Sequence, residues 1–163
     1  MTAASDDGPE FPLPRRFGRY VLCDHIGRGG MAEIYLARGT TQMGAARLAV
    51  VKLGLNRYAN DPDFAQMLVT EAKLAARLSH ANVVQTFDLG REEDRLYIAM
   101  EYVEGFDLTQ LLRKLAAKKI GLPAEYGLFV VTEMLRALDY AHRCTDDKGG
   151  SLGIVHRDVS PSN

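Results

Sequence analysis

A lysine and a glutamate carry the first chemical signal in this sequence. Lys52 lies inside the apolar run Leu48-Ala49-Val50-Val51-Lys52-Leu53, where an ammonium group needs a counter-charge or a role. Glu71 falls at helical spacing with Phe64, Met67, Leu68, Leu74, Ala75 and Leu78, which puts a carboxylate on an apolar helix face. An ionised carboxylate on a buried stripe is costly unless it is paired, and Lys52 is the best candidate partner. A snorkelling lysine and a rim glutamate are the alternative, and these two residues alone do not separate the readings. His25, His80 and His142 show no metal-ligand pattern and read as structural or surface residues.

Strands and helices must position this pair. Tyr20 to Ile26 and Glu33 to Arg38 are rich in β-branched, aromatic and aliphatic residues, and Gly27, Gly29 and Gly30 between them make a hairpin. Arg47 to Leu53 is a third strand. Asn60-Asp61-Pro62 then supplies an N-cap and a first-turn proline for a helix running to about Leu78. Leu96 to Tyr102 is another strand, Asp107 to about Lys118 a helix, and Pro123 to about Cys144 a longer helix. The longer helix carries Leu128, Val131, Leu135, Leu138 and His142 on one face. Residues 1–16, with their prolines, acids and small side chains, read as a flexible tail. The order implies an α+β fold in which a small sheet-rich lobe leads into a helical one.

Composition narrows the function classes. With 163 residues, 47% apolar and 25% charged, one compact domain is expected. A formal net charge of -1 offers no field for a nucleic acid and no polybasic segment for a membrane, so small molecules or proteins are the expected partners. Cys23 and Cys144 are too few and too far apart for a disulfide framework and read as buried thiols in a reducing cytoplasm. The N-terminal residues lack the pattern of a signal peptide, and no segment approaches the roughly 20 apolar residues of a membrane span.

Six segments now form an ordered set. They are Gly27-Arg28-Gly29-Gly30-Met31-Ala32-Glu33-Ile34, Ala49-Val50-Val51-Lys52, Glu71, His80-Ala81-Asn82-Val83-Val84, Met100-Glu101-Tyr102-Val103-Glu104-Gly105, and His156-Arg157-Asp158-Val159-Ser160-Pro161-Ser162-Asn163. In order and spacing the chain from about Phe17 to Asn163 resembles the protein kinase family, bacterial eukaryotic-like (Hanks-type) serine/threonine kinases most closely. The resemblance implies an antiparallel-sheet N-lobe over 17–102, a hinge at 103–106, and the first helices of a C-lobe over 107–163. It also implies ATP and Mg²⁺ as cofactors and a protein serine or threonine hydroxyl as acceptor. The backbone of Gly27, Arg28, Gly29 and Gly30 would close over the phosphates, and Lys52, held by Glu71, would bind the α- and β-phosphates. Met100 would stand at the back of the adenine pocket, Ile34 and Val50 would roof the ring, and the backbone of Glu101 and Val103 would bond its edge. Asp107 would meet the ribose or a basic substrate side chain, although with Gln110 three residues on it is equally a helix N-cap. Asp158 would take or orient the substrate hydroxyl proton and Asn163 would hold Mg²⁺, while His156 braces the loop and Arg157 meets an activation-loop phosphate in relatives.

Three residues depart from the pattern. Ala32 replaces the third glycine, Val50 stands where many relatives carry alanine, and Ser160 replaces a lysine whose charge offsets the transferring phosphoryl group. Losing such electrostatic help costs about 2.7 to 4 kcal/mol where nothing substitutes for it. No Asp-Phe-Gly, activation loop or Ala-Pro-Glu follows Asn163, so the isolated chain is expected to be a poor catalyst that needs a partner or the rest of the lobe to cover its long helix. The alternative is a non-catalytic nucleotide-binding or protein-interaction fragment.

Overall fold

The structure, a computed structural model, describes residues 9–40 and 46–162. These fall into two compact units, one reaching to Arg77 and including Gln85–Tyr102, the other comprising Leu78–Val84 and the residues from Val103 onward.

The first unit is a six-stranded sheet with one helix. The strands are β1 (Arg15–Phe17), β2 (Tyr20–Arg28), β3 (Ala32–Thr40), β4 (Ala46–Gly54), β5 (Thr86–Glu92) and β6 (Arg95–Glu101), in the order β1-β2-β3-β4-β6-β5. Every pairing is antiparallel. Alternation in β3 and β4 sends Tyr35, Ala37, Ala49, Val51 and Leu53 to one face, where they join Phe17, Tyr20, Leu22, Tyr97 and Ala99 in the main core. Each large side chain buried there contributes roughly 1.5 to 3 kcal/mol. The opposite face meets α1 (Pro62–Ala75) through Phe64, Leu68, Ala72 and Ile98. Asp61 starts that helix as expected, with its carboxylate accepting from the N–H groups of Asp63 and Phe64, both at 3.0 Å.

Three expectations are corrected here. The buried stripe of α1 is Phe64, Leu68 and Ala72, whereas Met67 and Glu71 are exposed, so the apolar face lies a step away from the one read off the sequence. Residues 9–16 do not form a free tail, because Phe11 stacks on Tyr35 at 5.4 Å, Leu13 packs on the main core and Arg15 opens β1. Their aromatic and aliphatic side chains find an apolar sheet face to cover. Residues 1–8 lie outside the described residues. Cys23 and Cys144 are half-buried rather than buried, each thiol lying 3.3 Å from a backbone carbonyl oxygen.

The second unit holds α2 (Leu108–Ala117) and α3 (Ala124–Arg143). The 78–84 segment is tied to α3 by polar groups. Ser79 N–H donates to the Tyr140 hydroxyl at 2.9 Å, His80 stacks on Tyr140 at 5.1 Å, and the Asn82 amide donates to the Glu133 carboxylate at 2.6 Å.

Candidate functional site

Cross-strand partners share a sheet face, and the register therefore determines where Lys52 points. Lys52 is opposite Ile34 on β3 and Ile98 on β6, and Ile98 packs against α1. The ammonium group is thereby directed to the helix side of the sheet, where it donates to Glu71 Oε1 at 2.7 Å. The Lys52 side chain is 27% exposed and that of Glu71 50% exposed. The pair expected from sequence forms, although not for the reason of a buried carboxylate; it is an ion pair partly open to solvent.

Val50 lies opposite Met100, and both sit on the Lys52 face, half-buried beside Ile34. Glu101 ends β6 with its N–H donating to the Gln85 carbonyl at 2.8 Å. Gly27 and Arg28 close β2, and the turn that follows is held by Gly29 N–H donating to the Ala32 carbonyl at 2.8 Å. Arg57 donates to the Gly30 carbonyl, and Leu55 N–H to that of Met31 at 3.0 Å. A methyl group added at Gly30 would meet nothing within 4 Å, and one at Gly29 only the Ala32 carbonyl oxygen at 3.6 Å. The fold itself does not require these glycines to be small, so the open space over the turn is available to something else.

In the second unit Asp107 caps α2, its carboxylate accepting from Gln110 N–H at 2.6 Å, so the N-cap reading is realised. The next free helical N–H, that of Thr109, donates to the Pro161 carbonyl at 2.9 Å, which pins the 156–162 segment to the start of α2. Within that segment Asp158 N–H donates to His156 Nδ1 at 3.3 Å, Arg157 takes a left-handed backbone with φ of 64°, and the Ser160 and Ser162 hydroxyls lie 3.1 Å apart. Val103 is exposed. Asn163 lies outside the described residues.

Sequence reasoning missed Glu33, a fully buried carboxylate on β3. The signal was there: Glu33 shares strand parity with Tyr35 and Ala37, both of which belong to the buried face.

Residues 20–163 match the protein kinase domain family. The chain is 43% identical to the tyrosine-protein kinase MasK of Myxococcus xanthus, covering 93% of this chain and 24% of that protein. It is 36% identical to the serine/threonine-protein kinase PrkC of Bacillus subtilis, covering 90% of this chain and 20% of that protein, and 35% identical to PknJ of Mycobacterium tuberculosis, covering 90% and 22%. The chain thus spans about a quarter or less of the length of these relatives. Among solved structures, the M. tuberculosis PknI kinase domain superposes with a TM-score of 0.69 at 32% identity, over 94% of this chain and 56% of that one.

Proposed function

We propose that this chain, which belongs to the protein kinase family, carries the nucleotide-binding lobe and catalytic loop of an ATP-dependent kinase that phosphorylates serine or threonine in proteins. The observation that carries this reading is the Lys52–Glu71 pair at 2.7 Å on the same unit as an uncrowded glycine turn. An ammonium held by one carboxylate keeps donors for phosphate oxygens, and backbone N–H groups in a glycine turn add to it without steric obstruction.

The family generally uses ATP and Mg²⁺, which supply the γ-phosphoryl group and the charge that offsets it. On this reading Gly27, Arg28, Gly29 and Gly30 cover the phosphates, and Lys52 orients them. Ile34 and Val50 form one wall of the adenine slot, with Met100 at its back. Because the Glu101 N–H is already bonded to Gln85, its carbonyl oxygen is the group left to meet the adenine amino group. In the family's pattern the backbone of Val103, in a hinge at 103–106, would bond the adenine as well. Asp107 stabilises α2 first, and its remaining acceptor capacity is what a ribose hydroxyl would use. Asp158 accepts the proton of the substrate hydroxyl, and Asn163 would hold the metal. Ser160 contributes a hydroxyl but no charge.

No helix among the described residues is long and apolar enough to cross a membrane. We place the chemistry in the cytoplasm, where ATP is abundant and free thiols such as Cys23 and Cys144 persist. The test is made on the purified full-length protein. Lys52→Met should weaken binding of ATP, and Asp158→Asn should keep binding while lowering kcat by about 10²- to 10⁴-fold. Phosphoamino-acid analysis should return phosphoserine or phosphothreonine; phosphotyrosine would move the acceptor to the class in MasK's name. Undiminished ATP binding in a folded Lys52→Met variant would sink the nucleotide site.

A further inference from the structure

Glu33 takes no part in the chemistry above, yet its side chain is wholly buried. It faces Arg28 in the last rung of the β2–β3 hairpin, immediately before the glycine turn. Its Oε2 accepts from the Tyr35 hydroxyl at 2.5 Å. Its Oε1 lies 3.6 Å from an Arg28 guanidinium nitrogen and 3.9 Å from His25 Nε2, and neither Oε1 nor Nε2 has a hydrogen-bond partner among the described residues. A buried carboxylate held partly by looser charge contacts is a poor way to stabilise a hairpin, since an apolar pair of similar size would do as well or better. Its placement has another consequence. Arg28 belongs to the glycine cluster, so the pull of Glu33 on it sets the strand entering the turn, while Arg57 on the Gly30 carbonyl holds the far side. The N-terminal segment covers this network, with Phe11 on the Tyr35 ring and Glu10 paired to the buried Arg95 at 2.8 Å.

We propose that Glu33 is a positioning residue for nucleotide phosphates, holding the glycine turn in place through Arg28 and Tyr35 beneath the N-terminal segment. This inference rests on the nucleotide-binding reading of the same turn. Its charge acts on Arg28, and its hydrogen bond to Tyr35 keeps it from swinging out of line. Removing the charge leaves the fold but loosens the turn, so the loss falls on nucleotide affinity more than on turnover.

The experiment measures Kd for a non-hydrolysable ATP analogue, kcat and Tm in the full-length protein for Glu33→Gln, Arg28→Met, the double variant and Lys52→Met. Glutamine retains an acceptor for Tyr35 and removes the charge. Each single change in the Glu33–Arg28 pair should raise Kd by about three- to tenfold, with kcat of Glu33→Gln within about twofold, and the double variant should be no worse than the worse single one, as coupled residues behave. Additive effects, or Kd unchanged in both singles while Lys52→Met weakens binding, would overturn the positioning role alone. Unchanged Kd in Lys52→Met would overturn the nucleotide reading and this inference with it. Should Glu33→Gln fail to fold, Tyr35→Phe, measured in the same way, decides, because it removes only the hydroxyl bonded to Glu33 and leaves the ring in the core: an unchanged Kd there overturns the role, and a raised Kd with Tm held supports it.

Discussion

The sheet unit and the helical unit carry similar apolar patterns but treat them differently. In the first, Leu22, Tyr35, Ala37, Val51, Leu53 and Ala99 are completely removed from solvent. In the second, Ala141 at 9% is the one buried apolar residue among the described ones, while Leu128, Phe129 and Leu135 on α3 are 69%, 64% and 55% exposed. Strand alternation in the sheet unit is answered within the same unit, by neighbouring strands, α1 and residues 11–17. The α3 stripe has the periodicity of a buried face without a matching cover among the described residues, and its unit is held by polar links instead. An amphipathic pattern therefore shows which face wants burial and leaves open what supplies it.

The largest expected effect tests that contrast directly. Leu53→Ala removes a fully buried side chain and should cost the sheet unit about 2 to 5 kcal/mol. Leu135→Ala, on the exposed stripe, should stay within about 0.5 kcal/mol. Hydrogen exchange followed by mass spectrometry reads both, through β3 and β4 peptides in one case and α3 peptides in the other. A loss in Leu135→Ala as large as that in Leu53→Ala would break the comparison and mean that α3 is packed after all.

How much of this was legible in the sequence follows the same division. The hairpin around the glycines, β4, β6 and all three helices were readable, because their periodicity and caps are local properties. β5 was not anticipated: Thr86-Phe87-Asp88-Leu89-Gly90-Arg91-Glu92 mixes a glycine and charges, and its place at the sheet edge is decided by pairing with β6 and by Tyr97 donating to Asp88 at 2.9 Å. β1 was missed for a similar reason, being three residues whose order comes from pairing with β2. Within the site, the Lys52–Glu71 pair was read correctly from a premise that does not hold, since Glu71 is exposed. Its formation depends on the strand register opposite Ile34 and Ile98, which is non-local. Glu33 escaped because a glutamate next to a turn looks like solvent-facing charge until its strand parity is compared with that of Tyr35.

Caps sharpen the comparison at intermediate size. Asp61 starts α1 and Asp107 starts α2 with the same carboxylate-to-N–H bonding, so each change to alanine removes about 1 kcal/mol. α1 buries Phe64, Leu68 and Ala72, whereas α2 buries no residue. Asp61→Ala should therefore leave α1 mostly protected from exchange, and Asp107→Ala should leave α2 largely unprotected, while Asp107→Asn, which keeps an acceptor, should restore it. Equal protection losses in the two alanine variants would show that tertiary burial does not separate these helices.

The smallest effect concerns the polar link that stands in for a core in the helical unit. The Asn82 amide above all holds the Glu133 carboxyl below its ordinary value, against the opposing effect of desolvation and with the help of the Arg136 guanidinium. A carboxylate with a lowered folded-state pKa contributes stability above the ordinary carboxylate range, and that contribution fades as pH falls through the lowered value. Exchange protection of α3 and of the 78–84 segment should accordingly weaken as pH falls from the ordinary carboxylate range through that lowered value. Glu133→Gln keeps an oxygen for Asn82 but cannot ionise, so its protection should start slightly lower and change less over the same range. The sheet unit supplies the internal reference, since no residue of β3 or β4 bonds to Glu133 and their peptides should show the same pH dependence in both proteins. Parallel pH profiles for α3 in the two proteins would mean that the Asn82–Glu133 link contributes nothing through its charge and holds the segment to α3 by neutral hydrogen bonds alone.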